Sequence, residues 1–291
     1  MDRKAFVACL SLLLLASCSN RNTIVVGSKN FTEQVLLGEI LAEQIEARTH
    51  LRVERRFYLA GSFICQQAML SGRIDAYVEY TGTALTAILH DPVARDRAAV
   101  LAQVQREYGQ RFKFDVLPSL GFDDTFAMVI RGEDARRLHL QTLSQAAQYT
   151  PQWRPGFGYE FMERPDGYAG LARAYGLRFA AVPRILDLGL LYRALFSNQV
   201  DLIAGNSTDG LLSARDLVVL EDDKHYFPPY DAVPIVREQS ESHFPGLRAA
   251  VAELGNEISD VDMRKMTYAV VAQQRDISEV AREFLRSKQL N

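Results

Sequence analysis

An α/β protein built as two lobes with a ligand cleft between them is what this sequence predicts, and three observations carry the prediction. Short apolar runs alternate with helix-patterned stretches, the arrangement that layers helices on a sheet. One segment recurs: Ala68-Met-Leu-Ser-Gly-Arg-Ile-Asp75-Ala-Tyr-Val-Glu-Tyr80-Thr81 lies on Ala194-Leu-Phe-Ser-Asn-Gln-Val-Asp201-Leu-Ile-Ala-Gly-Asn206-Ser207 at a constant offset of 126, with Ala, Ser and Asp identical. No low-complexity run or flexible linker interrupts the chain, so the two units are expected to be joined by short crossovers.

The elements follow in order. Ile24 to Gly27 reads as a buried strand ending in glycine. Asn30 is placed to cap a helix, with Glu33 three residues on as in a capping box. Leu37, Ile40, Leu41 and Ile45 then form an apolar stripe at helical spacing. Arg52 to Leu59 reads as a strand, Ser62 to Leu70 as a helix and Ile74 to Tyr80 as a strand. The style repeats in Thr125 to Arg131 (strand), Leu188 to Phe196 (helix) and Val200 to Ala204 (strand). Beyond Pro245 the chain turns helical, through Ala249–Ile258, Met263–Gln273 and Ile277–Ser287. Each copy of the repeat is a helix, a polar turn, a buried strand and a polar end. In open α/β sheets ligands bind beyond the carboxyl ends of strands, where Tyr80 and Asn206 fall.

The N-terminus predicts export. Arg3 and Lys4 precede an apolar run, Leu10 to Ala16, that is too short to remain a membrane span. Leu15-Ala-Ser-Cys18 then resembles a bacterial lipobox, so residues 1–17 read as a signal peptide and Cys18 as the lipidated residue of a protein held at a membrane surface, in the periplasm or on the extracytoplasmic face. With Cys9 removed and Cys18 acylated, only Cys65 is left. It can form no intramolecular disulfide and reads as a buried, inert thiol.

Composition narrows the rest. At 48% hydrophobic and 24% charged residues the chain is an ordinary globular one, and a net charge of -3 argues against nucleic acid as a partner. There is no phosphate loop, and Gly156-Phe-Gly158 lacks the third glycine of a dinucleotide fingerprint. The five histidines lack zinc spacing, and no Gly-x-Ser-x-Gly elbow supports a triad around Ser207 and His225. Neither cofactor nor metal is expected, and Glu221-Asp-Asp223 reads as solvated surface. The sequence therefore points to binding rather than catalysis.

Recognition chemistry is present. Gly27-Ser-Lys29-Asn-Phe-Thr-Glu33 sets a lysine and free backbone N–H groups at a helix start, which favours an anion. Glu79-Tyr80-Thr-Gly-Thr83 ends a strand with a ring and two hydroxyls. Phe227-Pro-Pro-Tyr230-Asp231 is a rigid turn presenting a ring, and Arg164-Pro-Asp-Gly167 a turn offering a guanidinium. Rings beside a carboxylate-gripping cation suit a zwitterion, whose ammonium the rings attract by roughly 0.5–2 kcal/mol each.

Taken together, Gly27-Ser-Lys-Asn-Phe-Thr-Glu-Gln34, Leu70-Ser-Gly-x-Ile-Asp75, Glu79-Tyr-Thr-Gly-Thr83, Arg164-Pro-Asp-Gly167, Ser207-Thr-Asp-Gly210 and Asp216 to Lys224 through Pro228-Pro-Tyr-Asp231 resemble the glycine betaine/choline-binding subunits of osmoprotectant ABC importers. The resemblance covers nearly all of the chain after the signal peptide. It implies a two-lobed periplasmic-binding-protein fold of type II that closes like a hinge, with a permease and an ATPase as partners. The expected division is lobe 1 in residues 18–121 and 226–291 and lobe 2 in residues 122–225. The resemblance also implies an aromatic cage with rings at Tyr80 and Tyr230, and a carboxylate clamp at Lys29, Thr83 and Arg164. Two positions depart. Asp123-Asp-Thr-Phe126 stands where the family usually has Asn-Asn-Thr-Tyr, and Asn206 stands where it has a tyrosine. Phe122, Phe157 and Tyr159 are the rings expected to compensate, and Trp153, the single tryptophan, is expected to report closure by fluorescence. The functions that follow are capture of a quaternary-ammonium or related cationic or zwitterionic solute for an ABC importer, binding of a different amine or amino-acid derivative, and ligand sensing by a lipoprotein.

Overall fold

The computed structural model describes residues 22–290. Residues 1–17, read above as a signal peptide, and Cys18 lie outside the described residues. Two five-stranded sheets form the frame. The first begins with strand β1 (Thr23–Gly27), helix α1 (Thr32–Arg48), β2 (Arg52–Arg56), α2 (Ser62–Leu70) and β3 (Ala76–Tyr80), followed by α3 (Arg97–Phe112) and β4 (Phe114–Val116). The second holds β5 (Phe126–Arg131), β6 (Pro155–Phe157), α4 (Tyr159–Glu163), α5 (Tyr168–Tyr175), β7 (Arg184–Ile185), α6 (Leu188–Phe196), β8 (Leu202–Asn206) and β9 (Leu217–Leu220). The chain then returns to the first sheet through β10 (Ala232–Arg237) and closes with α7 (Leu247–Ala252), α8 (Asp260–Val271) and α9 (Ile277–Ser287).

The strand orders are β2-β1-β3-β10-β4 and β7-β6-β8-β5-β9. In each sheet the first three strands run parallel, and the next strand pairs antiparallel on both sides. The two lobes are thus one topology used twice. Two crossovers join them, residues 117–125 and 221–231, and they run side by side: Asp123 bridges Asp231, and the Ala232 N–H donates to the Phe122 carbonyl at 3.1 Å.

Periodicity accounts for most of the packing. Leu36, Leu37, Ile40, Leu41 and Ile45 of α1 are fully buried and pack with β1, β3 and the C-terminal helix α9 in one continuous core. Cys65 is buried beside Met69, and burial pushes its thiol up to about 12, which makes it unreactive at neutral pH.

Some expectations shift. Asn30 does not cap α1: extended Phe31 occupies that position without a side-chain bond, and Glu33 turns inward instead. The strand expected to reach Leu59 ends at Arg56, and the helix expected over Ala249–Ile258 spans Leu247–Ala252 before a turn. Trp153 is buried in the lobe 2 core, stacked at 6.5 Å on Tyr149, so it does not face the cleft.

Candidate functional site

The repeat places its strand ends by identical backbone means. Asp75 opens β3 by accepting the Val25 N–H at 2.8 Å, and Asp201 opens β8 by accepting the Arg154 N–H at 2.9 Å. The preceding turns match: the Ser71 hydroxyl donates to the Gln67 carbonyl and the Ser197 hydroxyl to the Arg193 carbonyl, both at 2.8 Å. Gly72 (φ +68°) and Asn198 (φ +55°) supply the same left-handed corner, a conformation that glycine and asparagine tolerate best.

Between the strand ends lies a cavity of about 400 Å³. All seven residues singled out from the sequence line it: Lys29, Tyr80, Thr83, Phe126, Arg164, Asn206 and Tyr230. Phe31 and Phe161 join them. Neither was singled out from the sequence, where Phe31 was read only as part of a helix start. Of the compensating rings, Tyr159 lines the cavity, whereas Phe122 and Phe157 are buried in the lobe cores.

Aromatic walls face each other. Tyr80, at the end of β3, stacks at 6.5 Å on Phe31. Phe126, at the start of β5, meets Tyr230 edge-on at 5.7 Å and Phe161 at 4.7 Å. Asn206 is the direct cross-strand partner of Phe126, so an amide stands opposite a ring at the end of lobe 2.

Both cations of the cleft are already paired. Lys29 is 3% exposed and forms an ion pair with Glu79, while its ammonium lies 4.5 Å from the Tyr80 ring centre. Glu79 also accepts from the Tyr77 hydroxyl at 3.1 Å and the Tyr80 N–H at 2.8 Å. The Arg164 guanidinium grips Asp166 through two bonds, at 2.9 and 2.6 Å, and donates to the Thr83 hydroxyl at 2.8 Å. It lies 5.1 Å from the Phe126 ring and 5.6 Å from the Tyr230 ring. Tyr230 donates its hydroxyl to Asp166 at 2.6 Å. Burial alone would raise the Asp166 carboxyl, but Arg164 and Tyr230 hold it below its usual range. Asp166 thus fixes both the Arg164 guanidinium and the Tyr230 ring in place.

Several contacts cross the cleft. Arg164 of lobe 2 reaches Thr83 of lobe 1, and Thr208 reaches both Glu33 and, through its carbonyl, the Thr267 hydroxyl at 2.8 Å. Glu160 accepts the Phe63 N–H at 3.3 Å at the start of α2. Gly61 permits that approach, because a Cβ there would meet the Glu160 carboxyl at 2.2 Å. The geometry is that of lobes drawn together around a small chamber with rings, hydroxyls and two oriented cations in its wall. Such a chamber suits an onium group on the rings and an acceptor at Arg164 and Thr83.

Comparison with known proteins agrees with this geometry. The chain is 33% identical to the carnitine transport binding protein OpuCC of Listeria monocytogenes, over 98% of this chain and 97% of that one. It is 32% identical to a glycine-betaine-binding protein of Pseudomonas aeruginosa, over 99% and 94%. A crystal structure described as a glycine betaine/carnitine/choline ABC transporter superposes with a TM-score of 0.74 at 30% identity, covering 92% of this chain and 99% of that one. Residues 22–287 match the family described as the substrate binding domain of ABC-type glycine betaine transport systems, and the chain belongs to that family of ABC-importer substrate-binding proteins.

Proposed function

We propose that this protein captures a small quaternary-ammonium solute, of the glycine betaine, carnitine or choline kind, and presents it to the permease of an ABC importer whose ATPase drives uptake. The observation that carries the reading is the chamber itself: Tyr80, Phe126 and Tyr230 wall a space of about 400 Å³ whose Arg164 and Thr83 are already aligned on each other. A trimethylammonium group has no N–H to donate, so rings hold it by electrostatic attraction to their faces. A ligand carboxylate would take the Arg164, Thr83 and Lys29 end. The likeness to carnitine- and glycine-betaine-binding relatives supports the same class of ligand.

No chemistry is proposed for the bound solute, and the protein is read as a non-enzymatic binder. Lobe 1 is assigned residues 18–121 and 226–291 and lobe 2 residues 122–225, with the paired crossovers as the hinge. Residues 1–17 are read as a cleaved signal peptide and Cys18 as the acylated anchor, which would hold the protein beside its permease. Among the described residues no helix is long and apolar enough to cross a membrane, so attachment would rest on that anchor.

Calorimetric titration with glycine betaine, carnitine, choline and proline betaine tests the ligand. At least one should bind with a Kd in the micromolar range or below, about -8 kcal/mol or stronger. Failure of every one to bind would overturn the ligand class.

A further inference from the structure

Thr208 Oγ1 lies 2.7 Å from Asp124 Oδ1 and is also in hydrogen-bond contact with Glu33 Oε2. A hydroxyl owns one proton, so it donates to one carboxylate and must accept from the other carboxyl, which is then protonated. The remaining donors decide which is which. Asp124 Oδ1 also receives the Thr208 N–H at 3.2 Å and the Ser207 hydroxyl at 3.4 Å. Glu33 receives the Tyr80 hydroxyl at 2.6 Å, on its other oxygen. The proton therefore sits on Glu33 Oε2: Glu33 donates to Thr208, Thr208 donates to Asp124, and Asp124 is the ionised member.

Asp124 Oδ2 receives no hydrogen bond among the described residues, and Asp124 lines the cavity. Its placement follows from the sheet. Asp124 and Phe126 are two residues apart, as are Asn206 and Thr208, and Phe126 pairs directly with Asn206. The Ser207 N–H donates to the Thr125 carbonyl at 3.0 Å, which carries the pairing one rung further. Asp124, Phe126 and Asn206 all line the cavity. The carboxylate thus adjoins the ring and the amide at the end of lobe 2.

We propose that Asp124 is the specificity-determining anion of the cleft, its carboxylate facing the cationic head of the solute while Glu33 stores the pair's remaining proton, so that onium binding and ionisation of Asp124 are linked. The inference rests on the quaternary-ammonium reading above. The groups facing the pair are Tyr80 of β3, Asp123 in the first crossover, Asp209 after β8 and Tyr192 of α6. Burial raises the Asp124 carboxyl to about 7 against the Thr208 hydrogen bonds, with Asp123 and Asp209 adding to the rise. Burial and Asp124 raise Glu33 well above the usual carboxylate range. A cation beside Asp124 favours its ionised form, so binding below neutrality expels a proton and affinity climbs with pH until Asp124 is already ionised.

The test is calorimetry on the full mature chain with choline and glycine betaine, whose cationic heads carry a pH-independent charge. Titrations at about pH 6 and pH 8, each in two buffers of different ionisation enthalpy, report affinity and proton exchange together. Wild type is expected to bind about tenfold more tightly at the higher pH and to release close to one proton per solute at the lower, as linkage to one carboxyl requires. Asp124→Asn keeps an acceptor for Thr208 and should bind more weakly, with a flat pH profile and no proton release. A wild type that binds with flat affinity and no proton exchange overturns this inference alone. So does an Asp124→Asn variant that keeps both signals. Absence of any onium binding at either pH would instead remove the ligand reading on which it stands. Should the variant fail to fold, the two-buffer measurement on wild type decides by itself.

Discussion

The two lobes share a plan and differ at the strand ends that line the cleft. Asp75 and Asp201 open corresponding strands, Gly72 and Asn198 turn corresponding corners, and β10 and β5 run antiparallel beside them. At the strand ends the likeness stops. Lobe 1 finishes in Glu79-Tyr80, a carboxylate that anchors Lys29 followed by a ring. Lobe 2 finishes in Gly205-Asn206, where a Cβ on Gly205 would meet the Tyr192 hydroxyl at 2.5 Å. Its charges come instead from the crossover and from the segment after β6, as Asp124, Glu160 and Arg164. Backbone bonding that builds a lobe is tied to few residue types and repeats, whereas a strand end that lines the cleft carries no such backbone duty.

The largest effect is expected at Arg164, the cation that ties the lobes together. Arg164→Ala would leave Asp166 buried and unpaired and Thr83 without its donor. A loss of about 3–5 kcal/mol in unfolding free energy is expected, with solute binding abolished. Denaturant titration beside calorimetry checks both, and a variant with intact stability and binding would show that the two lobes need no such tie.

The shared plan itself is tested at its anchors. Asp75→Ala and Asp201→Ala each strand a backbone N–H, and each should cost about 1–3 kcal/mol. Similar losses would support equivalence, and a loss in one lobe only would break it. The acid limb adds a sharper reading. Despite burial, the Arg154 side chain and N–H and the Arg131 guanidinium hold Asp201 down to about 2. A lowered carboxyl stabilises above its unfolded value and loses that contribution as pH falls through its folded value. Asp201→Asn should therefore flatten the stability profile between about pH 4 and pH 2, by about 1 kcal/mol once solvent screening is allowed for.

Making the strand ends alike comes next. Asn206→Tyr places a ring opposite Phe126, matching the ring of Tyr80, and should tighten glycine betaine or choline by about 1 kcal/mol, roughly fivefold in Kd. Unchanged or weaker binding would mean that position 206 lies outside the cage. The smallest effect is expected from Gly61→Ala. Its methyl would push aside the Glu160 carboxyl, the flexible end of a side chain, and weaken one contact across the cleft. Binding should fall only about two- to threefold, mostly through faster solute release, which stopped-flow measurement would register.

What was legible in the sequence depended on local rules. Strand ends at Tyr80 and Asn206 followed from the repeat, and the α1 stripe followed from helical spacing. The cap on α1 was misread because Glu33 serves Tyr80 and Thr208 rather than its own helix. The burial of Trp153 in a lobe core was not legible because a lone tryptophan carries no sign of which face it packs on. Phe31 and Phe161 were missed because a ring in a short element reads the same in a wall as in a core.

The sequence by itself determined the two-lobed α/β plan through hydrophobic period and turn chemistry, and its resemblance to the family singled out the seven residues that line one chamber, because motif order is carried by neighbours along the chain. Only the tertiary structure decided how those residues are charged and held. Lys29 meets Glu79 across 50 positions and Asp124 meets Thr208 across 84. Each of those pairs forms inside its own lobe, while Thr208 meets Glu33 only where the two lobes meet, and burial there raises both Glu33 and Asp124, since a low dielectric penalises any charge left without a partner.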